Sequence, residues 1–160
     1  MLTVRLICVG RLKEKFYIDA CNEYRKRLSA YCRFELVELA ESRLSETPGE
    51  KEITAALERE AAEILKAIPA GSFLVPLCIE GKTIPSEGMA RLIAERENSG
   101  RPKLCFVIGS SYGLSPLVKN RADFRLSMSP MTFPHHLARV MLLEQVYRGF
   151  KINEGSRYHK

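Results

Sequence analysis

The run SMSPMTFPHHLARVMLLEQVYRGF, residues 127 to 150, places two adjacent histidines, His135 and His136, behind Pro134 at the mouth of a long apolar helix. Imidazoles there could ligate a metal, work as an acid/base pair or serve the helix start. Chelation by the pair needs an i, i+4 step, whereas helical neighbours diverge by about 100°. The metal reading therefore fails on geometry, and a metal-dependent hydrolase with it; structural hydrogen bonds or capping are favoured. His159 stands apart, between Tyr158 and Lys160 in a short polar tail of the kind that is most often disordered, so composition alone gives it no role.

Cysteine offers less. Cys8, Cys21, Cys32, Cys78 and Cys105 are odd in number, widely spaced and free of any CxxC pair, which argues against a disulfide framework and a zinc cluster and suits small buried hydrophobes. A catalytic thiol would need an activating partner that the local sequence lacks. Charge is more suggestive: residues 101 to 160 hold ten Lys/Arg against three Asp/Glu, within a net charge of +6. That surplus suits either a solvated face or a polyanionic partner such as RNA. No apolar run is long enough for a membrane span, and the start, MLTVRLICVGRLKEKF, lacks a secretory cleavage pattern, so a cytoplasmic protein is expected.

The elements that must position these groups alternate. LTVRLICV reads as a strand closed by Gly10. EKFYIDACNEYRKRL reads as a helix with Phe16, Ala20, Tyr24 and Leu28 at helical spacing, and FELVELA as a second strand. EITAALEREAAEILKAI is a helix stopped before Pro69 and Gly71. SFLVPLCI is a near-continuous apolar run, expected to be a central strand buried on both sides despite Pro76, which suggests a bulge. A helix capped by Ser86 leads to the strand KLCFVIG, then a short helix near Ser115 to Arg121 and a fifth strand candidate, FRLSMS. The order predicts one α/β domain over residues 1 to 160 with a mostly parallel sheet, in which ligands bind beyond the carboxyl ends of the strands.

Three loops lie there: IEGK, IGSSYG and MSPMTF. None is a GxGxxG or GxxxxGK[ST] motif, so neither a Rossmann fingerprint nor a P-loop is supported. Their exposed backbone groups could hold an adenosine-containing ligand, although strand-end loops commonly carry Gly and Ser simply to turn. In the third, Thr132 fits an N-cap and Pro134 the first turn of a helix running to Gly149. Leu137, Val140, Met141, Leu142, Leu143, Val146, Tyr147 and Phe150 point to almost every side of that helix, which predicts burial on more than one side. A homodimer with the helix, Leu143 included, in its interface is expected.

IEGK, FVIGSSYGLS, LSMSPMTFPHHLARVMLLEQVYRGFKI and the terminal YHK together resemble the ribosomal RNA large subunit methyltransferase H family, of the SPOUT class of knotted methyltransferases; the likeness spans essentially the whole chain. The resemblance implies a five-to-six-stranded α/β domain with a C-terminal deep trefoil knot, an exception to the rule that chains avoid knots, and a homodimer. It implies S-adenosylmethionine held largely by backbone groups at Leu77, Gly109, Met128, Ser129, Pro130, Met131, Thr132 and Phe133. It further implies methylation of N3 of a pseudouridine in 23S ribosomal RNA of the assembled ribosome. Arg148 and His159 are the candidates for stabilising the anion that develops on the imide, with Tyr158, His159 and Lys160 reaching the RNA or the partner's site. Arg139 could instead hold phosphate or the helix start. One departure is Ser110 where the family commonly has a second glycine, a source of strain if that position needed positive φ. A non-catalytic ribosomal RNA or ribosome-binding protein on the same fold is the alternative.

Overall fold

A computed structural model describes residues 1–160. Its centre is a four-stranded sheet in the order β2-β1-β4-β3, built from β1 (Thr3–Val9), β2 (Arg33–Leu39), β3 (Phe73–Lys82) and β4 (Lys103–Ile108), every pairing parallel. Helices α1 (Lys15–Leu28), α2 (Glu50–Ala67), α3 (Ser86–Glu97), α4 (Pro116–Lys119) and α5 (His135–Asn153) flank it. The expected α/β class with a parallel sheet is what the chain forms.

The period of two along the middle strands explains the layering. Val4, Leu6 and Cys8 of β1, with Leu104, Phe106 and Ile108 of β4, face a core shared with Cys21 and Leu28 of α1, Ile93 of α3 and Leu142, Leu143, Val146 and Phe150 of α5. Ile7, Val9, Cys105 and Val107 face the other side, where Ala61 and Ile64 of α2 and Val118 of α4 cover them. All five cysteines are buried and free, and burial pushes the thiols of Cys8, Cys32 and Cys105 up to about 12, so these three are inert packing groups.

Several local expectations are corrected. β3 is an edge strand, not a central one. Its Leu74 N–H meets Asp123 Oδ2 at 2.8 Å and its carbonyl accepts from the amides of Asp123 and Phe124, so that residue's polar groups point off the sheet. Pro76, two residues on, shares that orientation, and the N–H it lacks would have pointed outward, away from β4. No fifth strand forms: the 123–127 segment runs along this edge with only isolated bridges from Leu126 to Leu77 and Lys82. Phe16 is 65% exposed because the buried stripe of α1 runs through Cys21 and Leu28 instead. Ser86 is the first residue of α3 rather than its cap, and its hydroxyl donates to Gln145 Oε1 at 2.7 Å.

Helix α5 also differs. Pro134, not Thr132, is its N-cap, with no side-chain cap, and the helix passes Gly149 to end at Asn153. Gly149 permits that passage by close approach: a Cβ there would lie 2.6 Å from Ile93 Cδ1. Leu143 is buried within its own chain, which removes it from any interface between copies.

Candidate functional site

At the carboxyl ends of β3 and β4 the chain opens a cleft of about 590 Å³. Leu77, Ile79 and Glu80 come from β3, the turn from Gly109 to Gly113 follows β4, and a third wall is the irregular segment that leads into α5. Parallel strands deliver their loops to one end of the sheet, so segments far apart in sequence meet here.

Gly109 is required by contact rather than by dihedral angle. A Cβ on it would run into the Gly113 carbonyl oxygen, because the next turn folds directly over it. Gly113, at φ 85°, closes that turn by donating its N–H to the Ser110 carbonyl at 2.8 Å. Ser110 itself has no positive φ, so the feared strain does not arise. Ser110 instead stands beside Glu60, a buried carboxylate on α2 whose Oε2 accepts the Ser42 N–H at 2.8 Å.

Burial pushes the Glu60 carboxyl up, against the Ser42 hydrogen bond and the neighbouring Ser110, which favour its charged form. A carboxyl whose folded pKa is raised binds its proton more tightly in the native state, so its stabilisation is present at low pH and lost as pH rises through the raised value. Glu60→Gln keeps an acceptor for Ser42 and cannot ionise. Its melting temperature should exceed the parent's at pH 7, with a gain that shrinks as pH falls through the ordinary glutamate range. An equal gain at both ends of a thermal-denaturation pH series would discount burial as the cause.

Of the eight positions named for a cofactor, Leu77, Gly109, Met128, Ser129, Met131, Thr132 and Phe133 line the cleft and Pro130 does not. The N–H groups of Met128, Ser129, Thr132 and Phe133 have no acceptor within the chain, whereas that of Met131 is held by Ser129 Oγ at 2.9 Å. The wall thus sets the apolar side chains of Met128, Met131 and Phe133 beside the hydroxyls of Ser129 and Thr132, and its backbone is donor-rich. Tyr112, Lys119 and His135 also line it and were not expected there; the available signal was their place in or beside the same loops. Lys119 pairs with Glu80 at 2.7 Å and its hydrogen bond holds that carboxyl below its ordinary value.

The histidines split. His135 sits on the cleft wall, where burial and then the adjacent His136 lower its pKa and keep it neutral. Their ring centres are 4.2 Å apart, and His136 Nδ1 lies 3.7 Å from Glu14 Oε2. No group of three His, Cys, Asp or Glu side chains is placed to hold a metal ion. Arg139 is corrected outright: 2% exposed, it is paired with Glu38 at 2.7 Å and donates to the Gly10 carbonyl, so it cannot reach phosphate.

Arg148, Tyr158 and His159 come together, but outside this cleft. Arg148 donates through Nη2 and Nε to Glu144 Oε1, at 2.6 and 2.9 Å, and its Nη1 lies 3.2 Å from His159 Nδ1. Tyr158 donates to the same Glu144 oxygen at 3.2 Å, and its ring lies 4.8 Å beneath the Arg148 guanidinium. His159 Nε2 meets Glu87 Oε1 at 3.0 Å. Burial, then Glu144, push the Tyr158 phenol up, leaving it a neutral donor. The tail expected to be disordered is therefore folded onto α5 and α3. Glu144 also borders a second groove of about 340 Å³ that includes Tyr24, Ile84, Val140 and Met141 and shares Ser127 and Met128 with the first cleft.

Known proteins echo this architecture. The family described as "Predicted SPOUT methyltransferase" matches residues 2–159. A Clostridium botulinum (strain Kyoto / Type A2) protein named ribosomal RNA large subunit methyltransferase H is 46% identical over 159 residues, 99% of this chain and 100% of its own. One of the same name from Clostridioides difficile (strain 630) is 42% identical over the same shares. A solved structure, "a probable methylase family protein" from Haemophilus influenzae Rd KW20, matches at TM-score 0.53 and 14% identity over 98% of this chain and 70% of its own, a likeness of fold alone.

Proposed function

Because the chain belongs to the SPOUT methyltransferase family, we propose that it transfers a methyl group from S-adenosylmethionine to N3 of a pseudouridine in the 23S ribosomal RNA of the assembled ribosome. The observation that carries this reading is the meeting of three strand-end loops in one cleft whose free donors include the backbone amides of Met128, Ser129, Thr132 and Phe133. Its volume lies within the range of about 300–1,000 Å³ usual for cofactor sites. The fit is specific at Gly109, where any side chain would collide with the Gly113 carbonyl.

When bound, S-adenosylmethionine supplies an electrophilic methyl on a positively charged sulfonium. Leu77 and Met128 would pack the apolar parts of that group, and the amides of Thr132 and Phe133 would donate to its polar parts. Neutral His135 leaves the wall without an added positive charge. Arg148, His159 and Tyr158 would orient the target imide and stabilise negative charge on it as its proton leaves. Since Glu144 matches the Arg148 charge, the cluster acts chiefly as a set of fixed donors.

A homodimer belongs to the same reading. Met128 is the wall between the cleft and the groove, and a second copy seated on the groove would bring its tail cluster toward that wall. Met141→Asp, on the groove, should give folded monomers in sedimentation, whereas Leu143→Asp, fully buried within the chain, should cost the fold itself. A Met141→Asp protein that remains dimeric would place the interface elsewhere. The trefoil knot is likewise part of the proposal, supported by the 123–127 segment bound along the outer edge of β3 before the chain returns through the cleft wall. No helix is long and apolar enough to cross a membrane, and work on ribosomes would place the protein in the cytoplasm.

The test is transfer of labelled methyl to 23S RNA in assembled ribosomes lacking the modification, with ribosomes lacking the pseudouridines as control. Label only in pseudouridylated ribosomes is the expected result. No label from a protein that binds both S-adenosylmethionine and ribosomes would favour a non-catalytic binding role.

A further inference from the structure

Where β3 and β4 begin, at the other end of the sheet from the methyl-donor cleft, lies a polar cleft of about 380 Å³. Six residues of β4 separate the two ends, about 20 Å at the rise of a strand. In the last turn of α3, Arg96 lays its guanidinium 4.3 Å from the centre of the Phe73 ring, and its nearest carboxylate oxygen, on Glu95, is 4.0 Å away. Its Nε is sealed from solvent and meets no acceptor in the protein. Arg101 lies over Gly71 and forms no ion pair.

The loop between them is held by Ser99, whose single hydroxyl proton is shared between the carbonyls of Arg96, at 2.8 Å, and Arg101, at 3.0 Å. That leaves the N–H groups of Gly100 and Arg101 without an acceptor in the chain, and nothing stands within 4 Å of where a Gly100 side chain would project. Asp123 supplies the cleft's carboxylate, and it is engaged by the Leu74 N–H at 2.8 Å. Two guanidinium groups and two open amides around one engaged carboxylate make a donor-rich, net positive hollow, the chemistry of a phosphate site. Stacking on Phe73 fixes one guanidinium fork in advance.

We propose that this hollow binds a backbone phosphate of RNA through Arg96, Arg101 and the Gly100 amide. The assignment rests on the reading that the substrate is RNA. Continuity of charge favours a strand over a free anion: Lys103, exposed, stands two residues beyond Arg101 at the same end of the sheet and adds a third positive charge beside the hollow. This contact would anchor the substrate at a distance from the reacting base, fixing register without reading sequence.

The test is an NMR titration of the isotope-labelled full chain with a short single-stranded RNA, and separately with inorganic phosphate at the same phosphate concentration. The Gly100 and Arg101 amides and the Arg96 Nε–H should shift with RNA, more weakly with free phosphate. Arg101→Glu should remove those shifts and lower the salt dependence of RNA binding by about one unit of log–log slope; Arg101→Gln serves if the reversal disturbs folding. Silence of these signals in RNA, or tighter response to free phosphate, would overturn the assignment. Shifts without methyl transfer to ribosomes would sink the enzymatic reading alone, and transfer without shifts would sink this site alone.

Discussion

Gly109→Ala is expected to abolish binding of S-adenosylmethionine, with affinity at least about a hundredfold lower, equivalent to about 2.7 kcal/mol. The added methyl would run into the Gly113 carbonyl oxygen and lie 2.9 Å from Leu114 Cδ2, closer than real Cβ atoms come to other heavy atoms. Something must move, and the mobile partner is the turn from Ser110 to Gly113 that forms one wall of the cleft. Overpacking of this kind costs about 1–3 kcal/mol in stability, so the melting temperature should fall by only a few degrees while binding collapses. Calorimetric titration and thermal denaturation on the same preparation separate the two. Gly49→Ala, at a negative φ with nothing within 4 Å and outside the cleft, is the comparison for binding: it replaces a favoured N-cap of α2 and should cost stability while leaving affinity unchanged. Unchanged affinity in Gly109→Ala would remove the second loop from the cofactor site.

Arg148→Ala should lower the rate of methyl transfer by about a hundredfold or more, the usual loss when a donor to developing negative charge is removed. It should also lower stability, because Glu144 is only 19% exposed and would keep Tyr158 and Gln145 as neutral partners in place of a guanidinium. His159→Ala separates chemistry from folding. Its ring meets Arg148 and the exposed Glu87 near the chain end, so transfer should fall steeply while the melting temperature moves little. Affinity for S-adenosylmethionine should be unchanged in both, since neither side chain lines the cleft. A His159→Ala protein that melts as early as Arg148→Ala, or that transfers methyl at the parental rate, would make the cluster a structural clasp.

The sequence by itself determined the alternation of strands and helices, the parallel α/β class and the three loops that line the cleft. Those follow from local periodicity and from the rule that parallel strands gather their following loops at one end. It could not determine strand order: an apolar run suits a central strand and a covered edge alike, and only the place of β3 at the sheet edge, with the missing N–H turned away from β4, made Pro76 harmless. Nor could it separate the two arginine candidates. Arg139 and Arg148 sit nine residues apart on one helix, yet the first is buried against Glu38 of β2 and the second faces the tail. Which carboxylate an arginine meets depends on packing between elements distant in the chain, and that is decided only when the sheet and its helices assemble. The same holds at Gly109, whose need for hydrogen in place of a side chain is set by a carbonyl brought back over it by the turn at Gly113.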